Sequence, residues 1–463
     1  MTERFDIVVI GAGAGGLTVA AEAKKQGAKI ALVSNGLPGG DCSYYGCLPT
    51  KTLIHSAKVL NYMRRSQEFG LPTVNVQPDF AAVMAHKDRV INEITEHASF
   101  EPWEKQGFSV FRGEGHFVSA NEIEVNGTNV SAARFVIATG SEPSTLPVTG
   151  LKEAGFITNV EAVALQKLPR RLAILGAGPI GLEFAQLFQR FGVSVTVIEM
   201  APQVLPKEEP AVAAKLQAYL EEEGVVIHTG FTVESVAMER GQKVLTAVAS
   251  DSALLRIEVD EVLVAVGRRP VVENLRPERA GVNLEKGWVV VDDTLRTTAP
   301  NIWAVGDCIG KFLFTHVADY QARVAAHNLF ASEDAFKPVD YTVLPAVTFT
   351  DPELARVGLT EAEAAAMGIA ISTATFDFGD LERARLMLET KGLIKVVVDE
   401  NKRILGASVL GPHAGDLIHE FALAIKCGLK SHDLLSMIHA YPTLSEAVRW
   451  SMWPFENERS SGI

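Results

Sequence analysis

One glycine-rich segment occurs twice at a fixed separation, and this repetition limits the possible folds more than any other feature of the chain. The first copy, FDIVVIGAGAGGLTVAAEAKKQGAKIALVSN, runs from an apolar strand at residues 7–10 into Gly11, Gly13 and Gly16. It continues as a helical pattern and ends in a second apolar strand at residues 30–33. The second copy, RLAILGAGPIGLEFAQLFQRFGVSVTVIEM, sets Gly176, Gly178 and Gly181 between apolar strands at residues 172–175 and 195–198. Positions 11 and 176, like positions 34 and 199, are 165 residues apart. G-x-G-x-x-G between a strand and a helix is the fingerprint of a dinucleotide-binding unit. The small residues let the turn close and let backbone N–H groups reach a pyrophosphate at the helix N-terminus. Two such units predict two nucleotide cofactors that meet.

The constant offset allows the two copies to be compared position by position. The second strand of the later copy ends at Glu199, where an acid accepts hydrogen bonds from both adenosine ribose hydroxyls. A carboxylate there repels a 2′-phosphate, so this site is expected to favour NAD(H) over NADP(H). In the earlier copy the position is Ser34, which offers one hydroxyl in place of that two-oxygen grip.

Composition removes several function classes. A length of 463 residues suits about three domains. A formal net charge of −13 argues against nucleic-acid binding, which needs a basic face. The start, MTERFDIVVIG, shows no secretory signal, and no apolar run reaches the roughly 20 residues of a membrane span. Four cysteines do not make a disulfide scaffold, and a reducing cytoplasm is the expected compartment. From about Asp340 the texture changes to strands and turns followed by the helical DLIHEFALAIKCGL, an α+β region with no nucleotide motif.

Two of the cysteines, Cys42 and Cys47, stand in GGDCSYYGCLPTK. A zinc site would need about four Cys or His ligands, and no matching second pair exists. A purely structural disulfide fits poorly with the expected compartment. A redox pair is the reading left in front. Such a pair needs a thiolate at neutral pH, which a free cysteine of pKa about 8.5 does not supply unaided. A helix N-terminus after Cys47 and the ammonium of Lys51, one turn on, both favour the anion. Cys308 is expected to be a small buried residue, Cys427 helix core, and the run Glu221 to Glu223 a solvated helix end.

Together these segments resemble the pyridine nucleotide–disulfide oxidoreductases, in the branch that holds lipoamide dehydrogenase, glutathione reductase and mercuric reductase. The likeness covers nearly the whole chain. It implies an α/β protein with two Rossmann-like dinucleotide-binding domains and a C-terminal α+β dimerisation domain. FAD would bind residues 1–150 and 268–338, NAD residues 151–267, and residues 339–463 would form the interface of a homodimer with shared active sites. Cys42 would be the interchange thiol, Cys47 the thiol against the flavin, and Lys51 a neighbour of the flavin paired with Glu183. Asp307 would bind the ribityl chain. Gly40, Gly115, Thr139, Gly140, Gly267, Thr315, His316 and Val317 join the two glycine triplets, Ser34, Lys51 and Glu199 as cofactor contacts.

The chain departs from the family pattern near its C-terminus, in SMIHAYPTLSEAVRW. Relatives carry a histidine before the proline and a glutamate five residues after that histidine. Here the glutamate is Glu446, but the histidine position is Tyr441, with His439 two residues upstream. A phenol of pKa about 10 is ionised to only about 0.1% at pH 7, so it is a poor base. This argues against efficient oxidation of a dihydrolipoyl dithiol. Mercuric reductases share a tyrosine there, yet this chain lacks their C-terminal cysteine pair. Asp41 replaces the usual threonine and is expected to oppose ionisation of Cys42. Tyr44 and Tyr45 replace the common Asn-Val pair.

The expected function is transfer of electrons from NADH, through FAD and Cys42–Cys47, to a small disulfide or thiol-reactive acceptor. Two alternatives stand beside it. One is a dihydrolipoyl dehydrogenase with a weak base; the other is a flavin redox sensor with little turnover, against which the intact Cys42, Cys47, Lys51 and Glu183 set speaks.

Overall fold

A computed structural model of the protein describes residues 4–96 and 98–456. The extreme N-terminus and the tail after Glu456 that were read in the sequence therefore lie outside the described residues. Two compact units result: Met1–Pro49, Ala85–Ser144 and Gly267–Asp340 make the first, and Thr50–Met84, Thr145–Val266 and Tyr341–Ile463 the second.

The first unit is built on a seven-stranded sheet. Its parallel part runs Ser109–Arg112, Ile30–Ser34, Arg4–Ile10, Thr128–Ile137, and the last of these also pairs with Ile302–Ala304. Antiparallel Glu122–Val125 and Gly115–Ser119 extend the other edge. Residues 7–10 form a continuous apolar run because both sheet faces are covered. Ile7 and Val9 join Val19, Ala20 and Ala23 of the helix Ala14–Lys25, together with Ala322 and Ala325 of the helix Thr315–Asn328. Val8 and Ile10, one step out of phase, join Phe117, Ile123 and Phe135 on the opposite face.

The second unit repeats the motif in a four-stranded parallel sheet, ordered Val226–Thr229, Ser194–Glu199, Arg171–Leu175, Glu261–Val264. A three-stranded antiparallel sheet, Phe231–Glu239, Gln242–Ala249, Leu254–Val259, follows it. The two glycine-motif sheets are the paired Rossmann-like folds that the sequence repeat predicts. The segment after Asp340 forms a five-stranded antiparallel sheet covered by the helix Ala414–Cys427. Leu417, Ile418 and Phe421 of that helix pack on Ile394, Val396, Val398 and Val409. This is the α+β region expected there.

The segments FVIATGSEP and VLVAVGRRP each run from a sheet strand past a glycine into a short ribbon strand. Ser141–Pro143 and Arg268–Pro270 pair as a two-stranded antiparallel ribbon, and the boundary between units falls just beyond it at Ser144 and Gly267. No described helix is long and apolar enough to cross a membrane.

Candidate active site

The two glycine turns are nearly superimposable in their stereochemistry. Gly11 and Gly176 have φ of 112° and 101°. A Cβ on Gly11 would lie 2.1 Å from the Ala138 carbonyl oxygen, and one on Gly176 would lie 2.6 Å from that of Ala265. A Cβ on Gly16 or Gly181 would strike the carbonyl oxygen of its own turn's first glycine, at 1.9 and 2.0 Å. The middle glycines, Gly13 and Gly178, differ from these. Each precedes a helix with no side-chain cap, and a Cβ there would meet nothing within 4 Å. The outer glycines serve chain packing, whereas the middle ones leave bare backbone open to an anion. Both turns therefore fit a dinucleotide pyrophosphate.

The strand-end residues differ as the sequence does. Glu199 is held beside its turn, accepting from Ala177 N at 2.6 Å and Ala201 N at 2.8 Å. Ser34 Oγ closes a local turn, donating to the Gly36 carbonyl at 3.1 Å and accepting from Gly36 N at 3.2 Å.

The cysteine segment is seated on the first glycine turn. Gly39 N donates to the Ala12 carbonyl at 2.9 Å, and Gly39 and Gly40 both have positive φ. A Cβ on Gly40 would lie 2.9 Å from Gly13 Cα, so only glycine allows this approach. The short helix Gly40–Tyr44 then carries Cys42, and Cys47 opens the long helix Cys47–Arg64. Cys42 is partly buried and Cys47 exposed. Cys47 Sγ lies 3.9 Å from Thr315 Oγ1, at the start of the 14-residue helix Thr315–Asn328. That positive helix end adds to the field of Cys47's own helix and favours a thiolate. His316 stacks on Phe314 at 5.2 Å, and Val317 is buried.

Lys51 and Glu183 are brought together. Lys51 Nζ donates to Glu183 Oε2 at 2.6 Å, Glu183 Oε1 accepts from Phe349 N at 2.9 Å, and the ammonium lies 4.7 Å from the Phe349 ring centre. Glu183 is buried on the helix Pro179–Arg190 that follows the second glycine turn. Its two oxygens are satisfied, which fixes the lysine head in place.

Asp307 accepts from Ser141 Oγ at 2.6 Å, and burial raises its carboxyl above the usual range. Thr139 Oγ1 is buried with no hydrogen-bond partner among the described residues and has the Cys308 thiol as neighbour. Gly140 and Gly267 have positive φ and open space where a Cβ would stand. A buried hydroxyl beside bare, open backbone is polar lining that suits a bound polar cofactor. Gly115 instead packs inside, where a Cβ would lie 3.1 Å from Val33 Cγ1. Cys308 is fully buried, and its thiol is pushed up to about 12 by burial, an inert residue as expected.

Sequence reasoning missed Arg268. Its Nη2 donates to Asp41 Oδ2 at 2.7 Å, so the charge expected to disturb Cys42 has a partner. The only sequence signal was two consecutive arginines after Gly267. Two smaller expectations also change. Cys427 is exposed at its helix end, not core. Of the acidic run, Glu221 and Glu222 are exposed, but Glu223 is gripped by the buried Arg190 at 2.7 and 2.8 Å.

The C-terminal motif is only partly assembled. Tyr441 is 72% exposed, and among the described residues no hydrogen bond joins it to Glu446. Glu446 is buried and accepts from Thr443 N at 3.2 Å. The His439 ring is buried against Glu420, with Nε2 3.0 Å from its carboxylate.

Among the described residues, no group of three or more His, Cys, Asp or Glu is placed to hold a metal ion. Residues 5–322 match the family model described as pyridine nucleotide-disulphide oxidoreductase, and residues 344–452 match that family's dimerisation domain. Dihydrolipoyl dehydrogenase 3 of Haloarcula marismortui is 36% identical, spanning 100% of this chain and 98% of its own. Mercuric reductase of Lysinibacillus sphaericus is 32% identical, spanning 98% of this chain and 83% of its own. The solved structure of RclA from Escherichia coli, titled an HOCl-induced flavoprotein disulfide reductase, aligns with a TM-score of 0.86 and 31% identity. It covers 97% of this chain and 99% of that one.

Proposed function

Because the chain belongs to the pyridine nucleotide-disulphide oxidoreductases, we propose that NADH is its electron donor, Cys42 and Cys47 its redox pair, and a small disulfide or thiol-reactive compound its acceptor. It is an FAD-dependent enzyme acting on sulfur groups with a pyridine nucleotide. Its dimerisation domain supports a homodimer. Bound in the cradle assigned below, FAD would supply the two-electron chemistry that links a reduced nicotinamide to the cysteine pair.

The remaining steps belong to the chain's own residues. We assign the FAD cradle to residues 1–150 and 268–338, the NAD cradle to 151–267 and the dimer face to 339–463. Gly13 and Gly178 offer backbone N–H groups to the two pyrophosphates. Thr139, Gly140, Gly267, Asp307, Thr315, His316 and Val317 line the first cradle. Glu199 holds its carboxylate where a 2′-phosphate would be repelled, which favours NADH. Cys47 keeps its thiolate beside the start of the helix Thr315–Asn328, and Lys51 is held by Glu183 one turn along from Cys47.

With a disulfide acceptor, the Cys42 thiolate attacks one sulfur and expels the other half as a thiolate. Cys47 then attacks Cys42, releases the second thiol and re-forms the Cys42–Cys47 bond. The observation that carries this reading is the seating of the Cys42 helix on the first glycine turn, with Gly40 packed against Gly13. We place the enzyme in a reducing cytoplasm, consistent with a four-cysteine chain.

Tyr441 takes the place of a base, and as a phenol it donates to a departing thiolate more readily than it removes a proton. Dihydrolipoyl dehydrogenase activity is the second reading, supported by the near full-length match to the archaeal relative. A comparison structure titled as a Cu(II) complex makes Cu(II) a further acceptor worth assay beside Hg(II). The test is thiol mapping of the purified holoenzyme without air. Adding NADH is expected to expose two newly labelled thiols per chain, at Cys42 and Cys47. Labelling that NADH does not change would overturn the assignment.

A further inference from the structure

A bonded chain of four side chains runs through the first unit beside the redox turn. Arg268 Nη2 donates to Asp41 Oδ2 at 2.7 Å and to the Ser141 carbonyl at 2.8 Å, and Nε donates to Ser141 Oγ at 2.7 Å. Ser141 Oγ in turn donates to Asp307 Oδ2 at 2.6 Å, and that oxygen lies 3.9 Å from Arg268 Nε. The Arg268 side chain is only 12% exposed, and its fork is held rigidly because Arg268–Pro270 pairs with Ser141–Pro143. One cation therefore sits between two carboxylates, and one of these, Asp41, is the residue preceding Cys42.

We propose that Arg268 is a positioning residue for Cys42: through Asp41 it fixes the short helix that carries the thiol and cancels a negative charge that would otherwise oppose the thiolate. This rests on the reading of Cys42 as the interchange thiol. Asp41 lies on a five-residue helix seated on the glycine turn through the Gly39 N–Ala12 carbonyl bond and the close approach of Gly40 to Gly13. The Arg268 bond is the side-chain anchor of that helix to the ribbon, and through Ser141 to Asp307. The charged and titratable groups of the turn and of the segments bonded to it are Asp41, Tyr44, Tyr45, Cys47, Glu142, Arg268, Arg269 and Asp307, with Lys51 one turn after Cys47. Arg269 pairs with Glu142 and Glu273, and Lys51 with Glu183, so the cation bonded to Asp41 is Arg268. Removing it leaves the Asp41 carboxylate uncompensated beside the thiol. Removing Asp41 leaves a cation without its closest partner. The two changes must therefore move the thiol in opposite directions.

The experiment measures the rate at which iodoacetamide alkylates Cys42, mapped by mass spectrometry, as a function of pH. Holoenzyme is first reduced with dithiothreitol, which is then removed, so the outcome does not depend on NADH turnover. Failure of the NADH assignment would appear separately, in the NADH thiol mapping. Arg268→Gln is expected to raise the pH of half-maximal rate and Asp41→Asn to lower it. Each shift should be about half a unit or more, or ~3-fold in rate at fixed pH below the midpoint. The double variant should return close to the original midpoint, and Arg268→Lys, which keeps the charge, should restore most of it. Shifts of the same sign in both single variants, or none in either, would overturn the proposal. Should Arg268→Gln fail to fold, Asp41→Asn carries the sign test alone, and an unmoved or raised midpoint there sinks the idea.

Discussion

At the scale of single residues, three side chains carry opposite chemical demands. Glu199 is fixed by two backbone N–H bonds before any nucleotide arrives, so its charge is already in place. Glu199→Gln should lower the NADH-over-NADPH preference in kcat/KM by ~10-fold, the scale of one charged hydrogen bond. A lower KM for NADPH than for NADH in the unaltered enzyme would refute this role. Tyr441 is widely exposed and presents a hydroxyl where a histidine would present an imidazole. Tyr441→His should raise oxidation of dihydrolipoamide by ~100-fold, the lower range of a positioned base; an unchanged rate would sink the missing-base account. Cys308 is as unreactive as its burial requires. It should resist alkylation in the native protein up to pH 9 and react only after unfolding, which the same peptide mapping reads directly.

At the scale of elements, much was legible in advance. The outer glycines of each triplet are dictated by carbonyl oxygens that lie 1.9–2.6 Å from an added Cβ, so their spacing had to appear in the sequence. The strand ends at Ser34 and Glu199 followed from the same register. The Arg190 cluster was not legible, because its partners, Glu223 and Asp351, come from distant segments. Arg190 ends the helix Pro179–Arg190, where its charge also suits the carbonyl end of the helix. Burial alone would raise Asp351, but Arg190 and Lys58 hold its carboxyl below the ordinary range. That contribution to stability is complete above the unfolded carboxylate range and fades as pH falls through the lowered native value. Arg190→Met leaves the partly buried Glu223 and Asp351 without their shared arginine, with only Lys58 still on Asp351, and should cost about 3 kcal/mol, read as a lower urea midpoint and an acid transition moved to higher pH. An unchanged midpoint would contradict that picture.

At the scale of the whole molecule, the duplicated nucleotide fold and the α+β region after Asp340 could be read from motif and texture alone. What could not be read were long-range polar pairs such as Asp41 with Arg268, since no periodicity records which distant side chains meet. Tyr441 was singled out by its place before Pro442, but its wide exposure, like the burial of Glu446, is set by tertiary packing that the motif does not record. Nor does any residue set name the acceptor: the relatives include dihydrolipoyl dehydrogenases and mercuric reductases. The central claim, that reducing equivalents from NADH reach Cys42–Cys47, is tested most directly by titrating the air-free holoenzyme with NADH. Long-wavelength absorbance and thiol labelling would be followed together in the original protein and in Cys47→Ser. The account predicts a new long-wavelength band with labelling at Cys42 and Cys47 in the original protein, and loss of the band in the variant. A band that never forms, or one that Cys47→Ser leaves unchanged, would contradict it.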